Sequence, residues 1–546
     1  MKLNDKLSNT TFVRYVRAIK ASPRSMIFNR HLLLSAAGYA MSGICISWDQ
    51  ASSSVIPALP GFQAAFGIQS AANPKEISNF VSFVFLTAGL GSAVSFFIND
   101  RIGRLWSMRL YFLIWIVGQL IATFSNGHLG VLYAARLVSG LGIGPLTVTG
   151  PISIVEIAPP EIRGLLTVWF NVVMLTALTS APFVSLACLK YLESSRLQYQ
   201  IVFFAPTIVV SIVIVLSFFI MHESPRWLML VGREEEGIKS LLKLRGLPLD
   251  HPRVVQEIQG IRDELERDRA LHGDGGSLSI IKEALLVPSN LRRLLLVTVA
   301  YCLAQLSGAN SLTSYLVAIL DMLGQGGDRA HSITISGFYS LSKLFYTLIA
   351  SFFFIDAVGR RNSLFIGIII QAISDLYIAV FIHQKQAGAD ISPSASQAAI
   401  AAIFIHGFGW AIGLLILPYV FGAELWTNRI RSFGSAFTQA FHWWFFFGMT
   451  FATPNILSSM NNWGAFLFFT GICCFSLAWS YFTVPETAGL SVEEMNDLFT
   501  GSWWRMSSQA KKIRAKAFPG INGIESGSAT TQTKILKATP SVDEER

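Results

Sequence analysis

Charge is scarce in this chain. Asp, Glu, Lys and Arg make up 14% of its 546 residues, and 52% are hydrophobic. Soluble domains carry nearer a quarter charged residues, so an ordinary solvated surface is excluded. Cysteine is also sparse. Cys45, Cys188, Cys302, Cys473 and Cys474 all lie in or beside apolar stretches, without the spacing of a disulfide framework or a zinc site. No nucleophile–base constellation, metal-ligand cluster or phosphate loop stands out, so neither an enzyme, a metal nor a cofactor is expected. No cleavable signal peptide is visible, because a mostly polar segment of roughly thirty residues precedes the first apolar run. The one Asn-x-Thr sequon, at Asn9, falls on the expected cytosolic side.

Long apolar runs are plentiful. Twelve reach membrane-spanning length: Leu32–Val55, Phe80–Ile98, Leu110–Ala122, Leu132–Ile154, Leu165–Cys188, Ile201–Ile220, Leu294–Met322, Ile333–Ile355, Leu364–Phe381, Ala398–Phe421, Phe433–Pro454 and Trp463–Phe482. The third is short as marked and is expected to begin inside the preceding basic loop. The formal net charge of +9 is unevenly placed. Lys and Arg crowd the amino-terminal segment, the even-numbered connections and the tail, whereas the odd-numbered connections hold only Lys75, Lys190, Arg196, Arg329 and Lys385. By the positive-inside rule both termini are cytosolic, and the basic balance signals topology, not nucleic-acid binding.

The runs divide six and six. The expected organisation is a cytosolic segment 1–31, a six-helix half 32–221, a cytosolic helical loop 222–293, a second six-helix half 294–484, and a cytosolic, mostly disordered tail 485–546. In the loop, Glu234, Glu235 and Glu236 precede Lys239, Lys243 and Arg245, as a helix dipole favours, and a second charged helix is expected over Val254–Arg269. The halves repeat. Asp100-Arg101-Ile102-Gly103-Arg104 is matched by Asp356-Ala357-Val358-Gly359-Arg360-Arg361. Glu156 with Arg163-Gly164 is matched by Glu424 with Arg429, Arg431 and Gly434, and Glu223-Ser224-Pro225-Arg226 by Pro485-Glu486-Thr487. Duplicated transporters of this plan bind substrate near the midplane, between repeats that rock.

Within this apolar background a few charges stand alone. Asp49 lies in the first run, Arg136 in the fourth, Lys343 in the eighth and Asp375 in the ninth. A charge at bilayer depth costs at least about 2.5–3.5 kcal/mol, so each needs a partner, a proton or a task. Glycines 140, 142, 144 and 150, with Pro145 and Pro151, crowd the fourth run and suit close helix packing and a kink.

Taken together and in order, these motifs resemble the sugar porter family of the major facilitator superfamily. The strongest are Arg136-x-x-x-Gly140-x-Gly142-x-Gly144, Pro151-Ile-Ser-Ile-Val-Glu156-Ile-Ala-Pro159, Glu223-Ser224-Pro225-Arg226-Trp227-Leu228 and Pro485-Glu486-Thr487-Ala488-Gly489-Leu490. Phe28-Asn29-Arg30, Leu59-Pro60-Gly61-Phe62 and Gly337-Phe338-Tyr339-x-x-x-Lys343 resemble a fungal branch that includes quinate permeases. The resemblance implies an all-α membrane protein of twelve helices in two pseudo-symmetric halves. It implies alternating access, with the plasma membrane as address and protons and a sugar or polyol carboxylate as partners. It makes Asp49 and Arg136 the proton-coupling pair. It places Asn171, Gln305, Asn310, Tyr315, Tyr419 and Trp443 at the substrate, although the same residues would serve interhelical bonding and packing. It pairs Glu156 and Glu424 with Arg101, Arg104, Arg163, Arg360, Arg361 and Arg431 in a cytosolic gate that Glu223 and Arg226 extend.

Departures from the family pattern at Phe96, Leu105, Ala304, Ser314, Tyr419, Thr427 and His442 count against an ordinary hexose. Lys343, with no mid-membrane acid on runs 7, 8 and 10, favours a carboxylate ligand; His442 would add a pH-sensitive group. Snorkelling to water or bonding to backbone carbonyls is the other reading of Lys343. Asp375, on the peripheral ninth run, has no pocket role. A facilitative hexose uniporter and a non-transporting sugar sensor remain as alternatives.

Overall fold

A computed structural model describes residues 19–20, 23–68, 73–272, 276–324, 328–351, 358, 360–415, 425–426, 429–485 and 498–499, without the side chains of 268, 269, 271 and 272. All regular structure among these residues is helical. The first expected run is α1 (Arg30–Ala40) and α2 (Ser42–Val55), parted at Met41 and followed by a short helix at Pro60–Phe66. Runs two to six are α3 (Pro74–Ile102), α4 (Arg104–Thr123), α5 (Leu129–Ile157), α6 (Arg163–Tyr191) and α7 (Leu197–Ile220). The third run does begin inside the basic loop, at Arg104.

The central loop holds four helices where two were expected: α8 (Pro225–Leu230), α9 (Glu234–Arg245), α10 (Pro252–His272) and α11 (Ser277–Leu286). Beyond it lie α12 (Pro288–Leu306), α13 (Ala309–Ser314), α14 (Leu316–Met322), α15 (Arg329–Ile349), α16 (Arg360–Gln386), α17 (Pro393–Ile412), α18 (Arg431–Ser459) and α19 (Trp463–Thr483). The seventh run is thus three pieces. It breaks at Gly308, whose φ of +84° suits glycine alone, and where a Cβ would come within 2.6 Å of the Phe469 ring.

Among the described residues, nine helices are long and apolar enough to cross a membrane by themselves. The runs that fall short are α12 with its continuation, α15 and α18, the ones carrying Gln305, Lys343 and His442. Those three residues are buried against neighbouring helices.

The glycine-rich stripe of α5 lies directly on α3: a Cβ at Gly140 would meet the Val84 carbonyl at 2.1 Å, and one at Gly144 the Ala88 carbonyl at 1.8 Å. Close packing therefore accounts for these glycines. The two halves meet chiefly along α3 with α18 and along α6 with α15. Ser78 Oγ donates to the Phe451 carbonyl at 2.8 Å in the first seam, and Phe183 meets Phe338 edge-on in the second.

Candidate functional site

Asp49 is fully buried on α2, and Arg136 of α5 is 1% exposed. Their side chains form an ion pair, Arg136 Nη1 to Asp49 Oδ1. The second carboxylate oxygen accepts from Trp115 Nε1 at 2.8 Å and from Gln119 Nε2 at 2.7 Å, both on α4. The guanidinium also donates to Ser53 Oγ at 2.5 Å and to the Phe80 carbonyl at 3.0 Å. A buried ion pair is favourable only when its remaining lone pairs and protons are bonded, and here α2, α3, α4 and α5 all supply partners. Trp115 and Gln119 lie one turn apart, so one face of α4 meets the carboxylate. The sequence reading missed both.

Gln50, the next residue on α2, points elsewhere. It lines a small, partly open cleft together with Tyr301, Gln305, Asn310, Trp410, His442 and Trp443. Successive helix residues diverge by about 100°, so Asp49 and Gln50 address two different sites. Within the cleft a polar chain crosses from one half to the other. Gln305 Nε2 meets His442 Nδ1 at 3.1 Å, Asn310 Nδ2 donates to Gln305 Oε1 at 2.6 Å, and Gln50 Nε2 reaches Asn310 Oδ1 at 3.4 Å. Five residues apart on a continuous helix, Gln305 and Asn310 would face away from each other; the break at Gly308 brings them together. Trp443 Nε1 donates to Thr147 Oγ1 at 3.3 Å, and the indole stacks on Phe85 with ring centres 5.7 Å apart. Amides and aromatic faces are the complement of a polyhydroxylated ring.

Four of the expected pocket residues therefore share the cleft: Gln305, Asn310, His442 and Trp443. Asn171 is half-buried on α6, one turn before the lining residue Met174, and is outside the lining. The Tyr315 hydroxyl is turned to the Thr450 carbonyl at 2.8 Å. Lys343 is buried behind the wall. Its Nζ bonds Thr313 Oγ1 and sits 4.7 Å from the centre of the Trp410 ring and 4.8 Å from that of Tyr339. Among the described residues no carboxylate pairs with it. Tyr419 lies outside the described residues. Gln50, Tyr301 and Trp410 are lining residues that the sequence reading did not select; Gln50, polar in an apolar run beside Asp49, carried a signal.

At the charged end of the bundle Arg104 makes a two-pronged contact with Glu156, both distances 2.9 Å, and a third bond to Asp100. Glu223 accepts from the backbone N–H groups of Arg104, Leu105 and Ser224 at 2.9–3.0 Å. It thereby caps the start of α4, where the helix dipole favours an anion. Burial pushes its carboxyl above the usual carboxylate range, against those three N–H groups. Gly103 fits this turn for two reasons: its φ is +87°, and a Cβ would lie 2.6 Å from Glu223 Oε2.

The expected gate set is only partly assembled. Arg226 pairs with Glu264 at 2.7 Å, and Arg361 donates to the Tyr481 carbonyl at 2.7 Å. Arg101 and Arg163 are exposed, Arg360 is half-buried, and Glu424 lies outside the described residues. Arg431, from the second half, feels the charges of Arg226, Arg163, Glu264 and Glu156. A further pair, Arg429 with Glu283 at 2.8 Å, ties α11 to the second half and was not foreseen.

A family model described as "Sugar (and other) transporter" matches residues 36–499. The quinate permease of Emericella nidulans is 28% identical over 531 residues, covering 95% of this chain and 98% of the relative. The probable quinate permease of Aspergillus niger is 29% identical over 488 residues, covering 88% and 90%. Among solved structures, the proton:xylose symporter XylE bound to 6-bromo-6-deoxy-D-glucose superposes with a TM-score of 0.71 at 18% identity, over 88% of this chain and all of that one. Fold, motifs and relatives agree: the chain belongs to the sugar (and other) transporter family, and it is a multi-pass membrane transporter of the major facilitator superfamily and not an enzyme.

Proposed function

We propose that this chain is a proton symporter for an anionic polyol acid of the quinate kind, working by alternating access. The carrying observation is the adjacency of Asp49 and Gln50. One residue holds the ion pair with Arg136; the next reaches into the cleft and touches Asn310. Protonating Asp49 discharges one end of the pair and frees the α2–α5 contact, so the proton and the ligand act on one helix. The likeness to quinate permeases and to a proton:xylose symporter supports both halves of the reading.

Lys343 supports the anion. Its nearest described partners are a hydroxyl and two aromatic rings, none of which cancels its charge. A ligand carboxylate reaching it past Trp410 would do so. The charges of Arg104, Glu156, Glu223, Arg226 and Arg431 then form the cytosolic gate of a protein with both termini inside. The Arg104–Glu156 pair is desolvated and so is costly to break one-sidedly, whereas a partly exposed pair such as Arg226–Glu264 contributes only about 0–1 kcal/mol; the set biases a two-state equilibrium jointly.

A second reading, a facilitated hexose carrier, has its own observation: the cleft is lined by amides and aromatic rings, and Lys343 stands behind Trp410. Uptake in a transporter-null host separates the two. A monoanion carried with one proton moves no net charge, so quinate uptake should follow the pH gradient and ignore membrane potential. Lys343→Met should abolish it. Efficient glucose uptake that quinate and uronates fail to compete would refute the anion reading.

A further inference from the structure

Asp375, midway along α16, and His406, on α17, are both fully buried. His406 Nε2 lies 3.5 Å from Asp375 Oδ2. The Gln371 amide nitrogen, one turn before Asp375 on the same face of α16, lies 3.3 Å from the same ring nitrogen. Among the described residues, and apart from this long His406 contact, neither oxygen of Asp375, nor the Gln371 carbonyl, nor His406 Nδ1 has a hydrogen-bond partner. No lysine or arginine among them acts on the carboxylate; His406 is the one charge-bearing group that does. From the other packed helices, Tyr339 of α15 and Cys473 of α19 are the titratable side chains that feel the Asp375 charge. The cluster belongs to the second half, whereas Asp49 and Arg136 belong to the first.

Charge counting fixes the occupancy. A bare carboxylate beside a neutral imidazole leaves one uncompensated negative charge at membrane depth, which is costly. Two protons leave one positive charge at a similar cost. One proton leaves none, whether it rides on the carboxyl oxygen or makes the ring an imidazolium. We propose that Asp375 and His406 form a second proton-binding site, holding one proton between them, with Gln371 orienting the ring. Binding makes a single O–H or N–H bond and changes no other. The site also has a lever on the cleft. Trp410, one turn beyond His406 on α17, lines the cleft and covers Lys343. A change in the His406 contact therefore reaches the cleft wall through one helical turn. None of this depends on Asp49 coupling transport.

Infrared spectra of the full-length protein in lipid nanodiscs at neutral pH test it without any substrate. The wild type should show one of two bands, a protonated-carboxyl C=O stretch or an imidazolium ring mode. Asp375→Asn should remove that band, and Asp49→Asn should leave it. His406→Gln should leave Asp375 protonated, with a C=O stretch either shifted or newly present. If Asp375→Asn does not fold, Asp375→Glu should shift the band, and isotopically labelled aspartate and histidine in the wild type identify its owner. Absence of both bands, or presence of both at this pair, would overturn the proposal.

Discussion

Replacing Asp49 by asparagine tests both the physics of the buried pair and its use. The carboxylate has two acceptor oxygens. One takes Arg136; the other takes Trp115 and Gln119 at 2.8 and 2.7 Å. Asparagine keeps one acceptor and adds a donor. If its oxygen stays with Trp115 and Gln119, its amide nitrogen confronts the guanidinium. If it turns to Arg136, two donors on α4 lose their partner. In either pose Arg136 keeps Ser53 and the Phe80 carbonyl but loses its counter-charge. Removing one member of a buried pair costs about 3–5 kcal/mol, and the retained contacts point to the lower end, about 3 kcal/mol. Asp49→Asn with Arg136→Gln should recover most of that loss, because no unpaired charge remains. Thermal unfolding of the purified variants reads this directly. In uptake, one pH unit across the membrane corresponds to about 1.4 kcal/mol, or tenfold accumulation of a ligand moved with one proton. Wild type should approach that limit with quinate. Asp49→Asn should equilibrate without concentrating, while exchange of labelled for unlabelled ligand persists. Concentrative uptake by Asp49→Asn would refute the coupling. A double variant no more stable than the single one would refute the charge argument.

Three further outcomes are expected. Gln305→Ala, Asn310→Ala and Trp443→Ala should each weaken ligand binding by about 1–3 kcal/mol, roughly five- to 150-fold in Kd, at unchanged surface expression; wild-type affinity in all three would remove them from the site. Glu156→Gln and Arg431→Ala should increase labelling of cysteines placed at the charged end of the cleft, and unchanged labelling with normal transport would reduce both residues to helix-end supports. His222, just beyond α7, meets His31 with ring nitrogens 3.1 Å apart, and burial, with the His31 and Lys243 charges, lowers its pKa to about 4. A base depressed in the folded state gives stability that is full above its unfolded value near 6.5 and is lost as pH falls toward 4. The melting temperature should therefore drop over that window, and less steeply in His222→Gln.

Much of the framework was legible before any coordinates. Apolar length is a local property, so the twelve runs were readable, including the early start of the third at Arg104. The lone charges were readable too, because a charge inside a span stands out against its neighbours. The partners were harder. Trp115 and Gln119 are unremarkable in a helix until their face meets Asp49. Lys343 was expected at the ligand, and its Nζ lies behind Trp410. The gate motifs led to the Arg104–Glu156 contact, but not to Glu223 as the cap of α4 or to Arg429 with Glu283.

By itself, then, the sequence determined the apolar runs and the residues whose burial demands a reason. Those follow from the cost of placing polar groups in hydrocarbon, which each segment meets alone. Tertiary structure decided which groups meet. The break at Gly308 turns Gln305 toward Asn310, α2 sends Asp49 and Gln50 to separate sites, and α17 sets His406 against Asp375. Such contacts join side chains far apart in the chain, and they depend on helix rotation and crossing. Those are set by packing between segments, and no single segment encodes them.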